Sequence, residues 1–201
     1  MQTNPAKKIL IINGNPARLR TTYSAALAGN YLHHAESGGH SVVSMKLSEL
    51  AFDPIQHEGY AKDQPLELDL IKLREAMVAA DHWVLIFPLW YGLPPALVKG
   101  FIERIFTKGF AFEYEGLYPV PLPILKGKTV RVIITCGMPS FVYHWLSGKP
   151  TNKALQTLFG LCGIKISGFT IFGGIGDQSQ IAVARYNSYI ESLRELGKKG
   201  I

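Results

Sequence analysis

The chain predicts an α/β domain in which a parallel sheet carries helices on both faces, and three observations lead there. Short apolar runs recur at Ile9–Ile12, at Trp83–Phe87 and, broken only by Arg131, at Val130–Ile134, the pattern of strands buried on both sides. Between them lie longer segments with apolar residues at helical spacing, so strand and helix alternate along the chain. The length, 201 residues, suits one well-buried domain and is short for two, so residues 1–201 are read as a single domain.

The first strand, Ile9 to Ile12, is closed by Asn13-Gly14-Asn15-Pro16, and a loop through Arg18 and Arg20 reaches Thr21-Thr22. Thr22 suits the N-cap of a helix running to about His34, which Gly38-Gly39 stops. Val42 to Met45 makes a second, weaker strand. The long stretch Leu47 to Pro65 has no periodicity and reads either as a functional loop or as a plain insertion. Leu66 to Ala79 forms a helix with Leu70, Leu73, Met77 and Val78 inward, leading to the buried strand Trp83–Phe87. Proline-rich chain (Pro119, Pro121, Pro123) then precedes the fourth strand, Val130 to Ile134. A helix over Asn152 to Cys162, a fifth strand over Ile164 to Phe172 and a last helix over Ser179 to Leu196 complete the pattern. In the last helix Ile181, Ala184, Tyr189, Ile190 and Leu193 form the inward face.

The most informative stretch is Phe87 to Tyr114, FPLWYGLPPALVKGFIERIFTKGFAFEY. Pro88 closes the third strand, and Leu89-Trp90-Tyr91-Gly92 turns the chain. Pro94-Pro95 sit where helix starts tolerate proline. Leu97, Val98, Phe101, Ile102, Ile105 and Phe106 then form one wide helical stripe. Two aromatics therefore stand on a tight loop at the carboxyl end of a buried strand, where ligands bind in open α/β sheets. Taken alone, the pair reads equally well as a cap on the core.

The whole run, with Gly109-Phe110-Ala111-Phe112-Glu113-Tyr114, resembles the flavodoxin-like NAD(P)H:quinone oxidoreductases, the diaphorase family. The resemblance implies a flavodoxin-like fold with five parallel strands in the order 2-1-3-4-5, and a bound flavin, FAD or FMN. In that family the loop matching Pro88-Leu89-Trp90-Tyr91-Gly92 lies along the flavin ring, and the segment matching Phe112 and Tyr114 lines the substrate pocket. Thr22-Tyr23-Ser24 is similar to the triplet that holds the flavin phosphates. Asn15 stands where FAD-binding relatives usually carry histidine, which leaves FAD against FMN open. Thr135-Cys136-Gly137-Met138-Pro139 resembles the family's threonine-glycine loop, whose backbone amides meet the polar edge of the ring. Met138 replaces a common second glycine. Tyr143 matches the tyrosine that stabilises charge on the ring, and His144 is the candidate for its histidine partner, although a lone histidine among aromatics is more often structural.

The resemblance implies hydride transfer from NAD(P)H to the flavin and then to a quinone or another flat acceptor in the same pocket. It also implies a homodimer with each flavin near the interface, close to Phe112–Tyr118. Two other readings remain: an azo- or nitro-compound reductase of the same fold, and an ancillary subunit of a potassium-efflux transporter, as some members are.

The formal charge is +6, but the basic residues are scattered, unlike the concentrated face of a nucleic-acid reader. Only 18% of residues are charged, which allows exposed apolar surface for an oligomer interface. Residues 1–6 carry no signal-peptide pattern, and no apolar run nears the roughly 20 residues of a membrane span; a cytosolic location is expected. Cys136 and Cys162 make no disulfide framework. The six histidines show no metal-ligand spacing, no metal is expected, and no G-x-S-x-G elbow occurs.

Overall fold

The computed structural model describes residues 5–18, 22–59, 61–115, 120–145, 148–176 and 180–201, the side chains of 180–183 excepted. Arg20, Thr21, Tyr118, Pro119, Ser179 and Ile181 therefore lie outside the described side chains.

Five strands, β1 (Lys8–Asn13), β2 (Ser41–Lys46), β3 (His82–Pro88), β6 (Thr129–Thr135) and β7 (Lys165–Phe172), form one sheet. Its order is β2-β1-β3-β6-β7 and every pairing is parallel. In chain order that is 2-1-3-4-5, as the resemblance implied. The apolar runs sit in the middle of the sheet because both of their faces are covered. Leu10, Ile12, Trp83, Leu85, Phe87, Val130, Val132 and Ile134 point to one face. They pack with α2 (Leu68–Ala79), α3 (Ala96–Ile105) and α5 (Pro150–Leu161). Ile9, Ile11, Val84, Ile86 and Ile133 point to the other, against α1 (Tyr23–Ser37) and α6 (Gln180–Lys199).

The structure adds elements too short for periodicity to show. A single 3-10 turn spans Leu47–Glu49, the two-residue strands β4 (Phe112–Glu113) and β5 (Leu122–Pro123) pair antiparallel, and α4 covers Ser140–Trp145. Some inward faces differ from expectation. Val78 is exposed at the end of α2, and Ala184 is exposed on α6, whose buried anchor is Leu193. Arg104, beside the apolar stripe of α3 and not part of it, is fully buried. Its guanidinium donates to Asp53 O, to Pro65 O at 2.8 Å and to both Glu67 carboxylate oxygens at 3.1 and 3.0 Å. The irregular segment after β2 is thus fastened to α3, and Pro54 lies directly on Gly100.

Candidate functional site

Strands β1, β3 and β6 are neighbours, so the loops leaving their carboxyl ends lie side by side. The chain leaves β1 and β3 in opposite directions along the sheet, which makes this edge the switch point where a crevice opens.

The loop after β1 is shaped by asparagine side chains. Asn13 Oδ1 accepts from Asn15 N at 3.0 Å and Asn15 Oδ1 accepts from Ala17 N at 3.0 Å, two successive side-chain turns. Asn15 Nδ2 donates to the buried Ser24 hydroxyl at 3.3 Å. Thr22 caps α1 as expected, its Oγ1 accepting from Ala25 N at 3.1 Å. The first turn of α1 holds no acidic residue, so its positive end is uncompensated and suited to an anion. Arg185, not singled out by the sequence, covers Gly174 and lines a small recess with Tyr23, Tyr186 and Tyr189. That places a guanidinium beside the same helix end.

The loop after β3 is a two-residue hairpin. Trp90 N donates to Leu93 O and Leu93 N to Trp90 O, each at 2.9 Å. Such a turn requires positive φ at both central residues, and here they are Tyr91 (φ 52°) and Gly92 (φ 82°). Gly92 adopts this freely, whereas a tyrosine does so only under strain. Despite that cost, Tyr91 is wholly exposed and Trp90 is about half exposed, at 102% and 49%. They therefore do not cap the core. Pro88 is half-buried and Leu89 buried, and Leu89 N donates to Thr135 O at 2.7 Å, tying this loop to the next.

The loop after β6 begins with buried Thr135 and Cys136. Cys136 N donates to Phe172 O at 2.9 Å; among the described residues the amides of Gly137 and Met138 have no backbone acceptor. Gly137 is exposed and Met138 half-buried. Burial pushes the Cys136 thiol up from its ordinary value, which disfavours the nucleophilic thiolate. Gly174 N bonds to Met138 O and Ile175 N to Cys136 O, both at 3.0 Å, so the chain leaving β7 braces this loop from beneath.

Tyr143 and His144 follow on α4 with opposite orientations. Tyr143 is fully buried and its hydroxyl donates to Asn152 Oδ1 at 3.0 Å; burial raises its phenol. The hydroxyl is thus turned inward, toward the start of α5. Tyr143→Phe leaves Asn152 Oδ1 short of a donor, an expected loss of about 1–3 kcal/mol in urea denaturation. His144→Gln is expected to change little, since His144 is exposed and among the described residues its Nδ1 meets only Ser140 O, at 2.8 Å. His144 lines a shallow pocket of ≈ 240 Å³ with Phe141, Trp145 and Lys149. Phe112 and Tyr114 are not on the three loops: they sit on the separate β4–β5 hairpin and its exit, rings edge to face at 5.8 Å.

The three loops thus bring together an exposed apolar aromatic surface, a row of backbone amides and an uncompensated helix N-terminus flanked by a cation. A flat ring with an anionic tail fits that set. No group of three or more metal-ligating side chains occurs among the described residues, and no described helix is long and apolar enough to cross a membrane.

Comparison with known proteins agrees. The chain is 32% identical over 171 residues to an uncharacterised NAD(P)H oxidoreductase of Haemophilus influenzae, covering 83% of each protein. Its likeness to human ribosyldihydronicotinamide dehydrogenase (quinone) is 33% identity over 87 residues, 43% of this chain and only 36% of the human protein. The chain thus spans about a third of the mammalian quinone reductases it matches. An FMN-dependent NADH-azoreductase of Bacillus anthracis, solved with FMN, superposes with a TM-score of 0.67 at 20% identity, over 94% of this chain and 99% of that one. Residues 7–195 match the model of the flavodoxin-like fold family, and the chain belongs to that family.

Proposed function

We propose that this protein is a flavin-dependent NAD(P)H:quinone oxidoreductase, working in the cytoplasm as a homodimer. The observation that carries the reading is the exposed, strained Trp90-Tyr91-Gly92 hairpin at the switch point, tied through the preceding Leu89 N to Thr135 O at the end of β6. A bound flavin supplies the hydride chemistry between NAD(P)H and the acceptor. The residues of the chain bind and orient. Thr22, Tyr23, Ser24 and the amides at the start of α1 hold the phosphate, and Arg185 adds charge there. Trp90 and Tyr91 give the ring its apolar contact, and the amides of Gly137 and Met138 meet its polar edge. Phe141, His144, Trp145 and Lys149 border the space beside the ring, where NAD(P)H and then the acceptor are placed. Phe112 and Tyr114 reach a site by way of the partner copy, since within one chain they occupy a separate hairpin.

FMN-named relatives support FMN over FAD. The purified protein, incubated with FMN or FAD and desalted, is expected to keep a yellow absorbance band that denaturation and filtration remove. Protein that stays colourless with both would overturn the reading. An azo-compound reductase is the second reading, supported by the likeness to the azoreductase fold. Steady-state NAD(P)H oxidation with a quinone and with an azo dye separates the two by their kcat/KM ratio.

A further inference from the structure

We infer that Thr151 is a positioning residue for the flavin ring, because it holds the Trp90–Leu93 hairpin in its strained form; the inference rests on the flavin reading above. The hairpin has too little of its own to stay closed. It contains two backbone hydrogen bonds, and isolated hairpins of this kind are at best marginal. Tyr91 works against it with a left-handed backbone. Something outside the hairpin has to supply the difference.

That support comes from the start of α5. The Thr151 hydroxyl donates to Gly92 O at 2.7 Å, and Thr151 is 1% exposed. Gly92 is the second central residue of the turn, so fixing its carbonyl fixes the orientation of the peptide that the turn type demands. Pro150, one residue earlier, stands beside the same glycine: a Cβ on Gly92 would lie 3.9 Å from Pro150 Cγ. One residue later, Asn152 receives the Tyr143 hydroxyl at 3.0 Å. A single turn of α5 therefore grips the loop after β3 through Thr151 and the helix after the β6 loop through Asn152. In the proposed reading the first segment contacts the ring and the second borders the space beside it, and their separation is set by consecutive residues of one helix. A helix is a stiff spacer, so the pairing is suited to hold the gap into which a flat ring slides.

The test compares Thr151→Val, which keeps the shape and removes the donor, with Thr151→Ser, which keeps the donor. In flavin-free protein, amide exchange at Trp90 and Leu93 should speed up about tenfold in Thr151→Val, well beyond any change at the β3 core amides of Val84 and Leu85. The dissociation constant for FMN should rise by about the same factor, and Thr151→Ser should restore both. Exchange at the hairpin that matches the parent, or that rises only in step with the core, would overturn the inference, as would unchanged FMN affinity. If the parent binds no flavin, the proposed function fails, and the exchange measurement on flavin-free protein still decides whether Thr151 holds the hairpin.

Discussion

Gly173→Ala is expected to cost about 100-fold in kcat/KM for quinone reduction, together with about 1–3 kcal/mol of stability. Gly173 directly follows β7 and lies against the loop after β6. A Cβ there would stand 2.3 Å from Ser140 N, 2.7 Å from Met138 O and 2.9 Å from the Pro139 carbonyl carbon. All three are backbone atoms, so no side chain can swing aside, and the loop itself has to move. The same loop carries the Gly137 and Met138 amides assigned to the ring edge, and a displacement approaching 1 Å at such a site is worth about two decades in rate. Gly137→Ala separates the two effects. Its added carbon meets nothing nearer than Ile175 O at 3.7 Å, so folding should be unchanged while ring binding alone responds. Urea denaturation and FMN titration of both variants, beside steady-state rates, check the prediction; a Gly173→Ala protein with parental rate and affinity would refute the placement of the loop.

The fold was legible because its strands are buried on both faces, and that burial leaves continuous runs such as Trp83–Phe87 that need no partner to be recognised. The loops were legible for a related reason: chemistry at a parallel sheet collects at the strand ends, so Asn15–Ser24, Pro88–Gly92 and Thr135–Met138 are found once the strands are. What stayed hidden depends on contacts between distant residues. Arg104 looks like the solvent side of an amphipathic helix, and only the return of Asp53, Pro65 and Glu67 onto α3 makes it a buried cation. Thr151 reads as an ordinary residue at a helix start, with Pro150 at N1 as the sole local signal; its partner Gly92 is 59 positions away. The inward turn of Tyr143 was hidden because α4 has six residues, fewer than two turns and too few to show a face. β4 and β5, two residues each, carry no alternation at all.

Arg104→Ala is the second large change, and it should act on stability without touching the chemistry. The side chain is fully buried and satisfies Asp53 O, Pro65 O and the Glu67 carboxylate together. Glu67 Oε1 also accepts from Asp53 N at 3.0 Å, so one ion pair closes the whole segment after β2. Removing the guanidinium takes the donor from Asp53 O and Pro65 O, leaves the Glu67 carboxylate without its cation and empties a buried volume, for an expected loss of about 3–5 kcal/mol. That is a large part of the roughly 5–15 kcal/mol by which domains are stable. The contribution is also pH-dependent. Burial would raise the Glu67 carboxyl, but the Asp53 and Glu67 amides and the Arg104 guanidinium outweigh it and hold the group below its ordinary value of 4.5. A carboxyl depressed in the folded state adds stability that is complete above the unfolded value and is lost as the pH falls through the folded one. The parent should therefore lose stability as the pH drops below about 4.5, and Glu67→Gln should remove that part of the acid limb. Urea denaturation of the parent, Arg104→Ala and Glu67→Gln from neutral to acid pH measures both effects. Per folded molecule, FMN affinity should match the parent, because none of these groups belongs to the three loops. Arg104→Ala protein with parental stability at neutral pH would show that the segment after β2 is held by its other contacts and not by this ion pair.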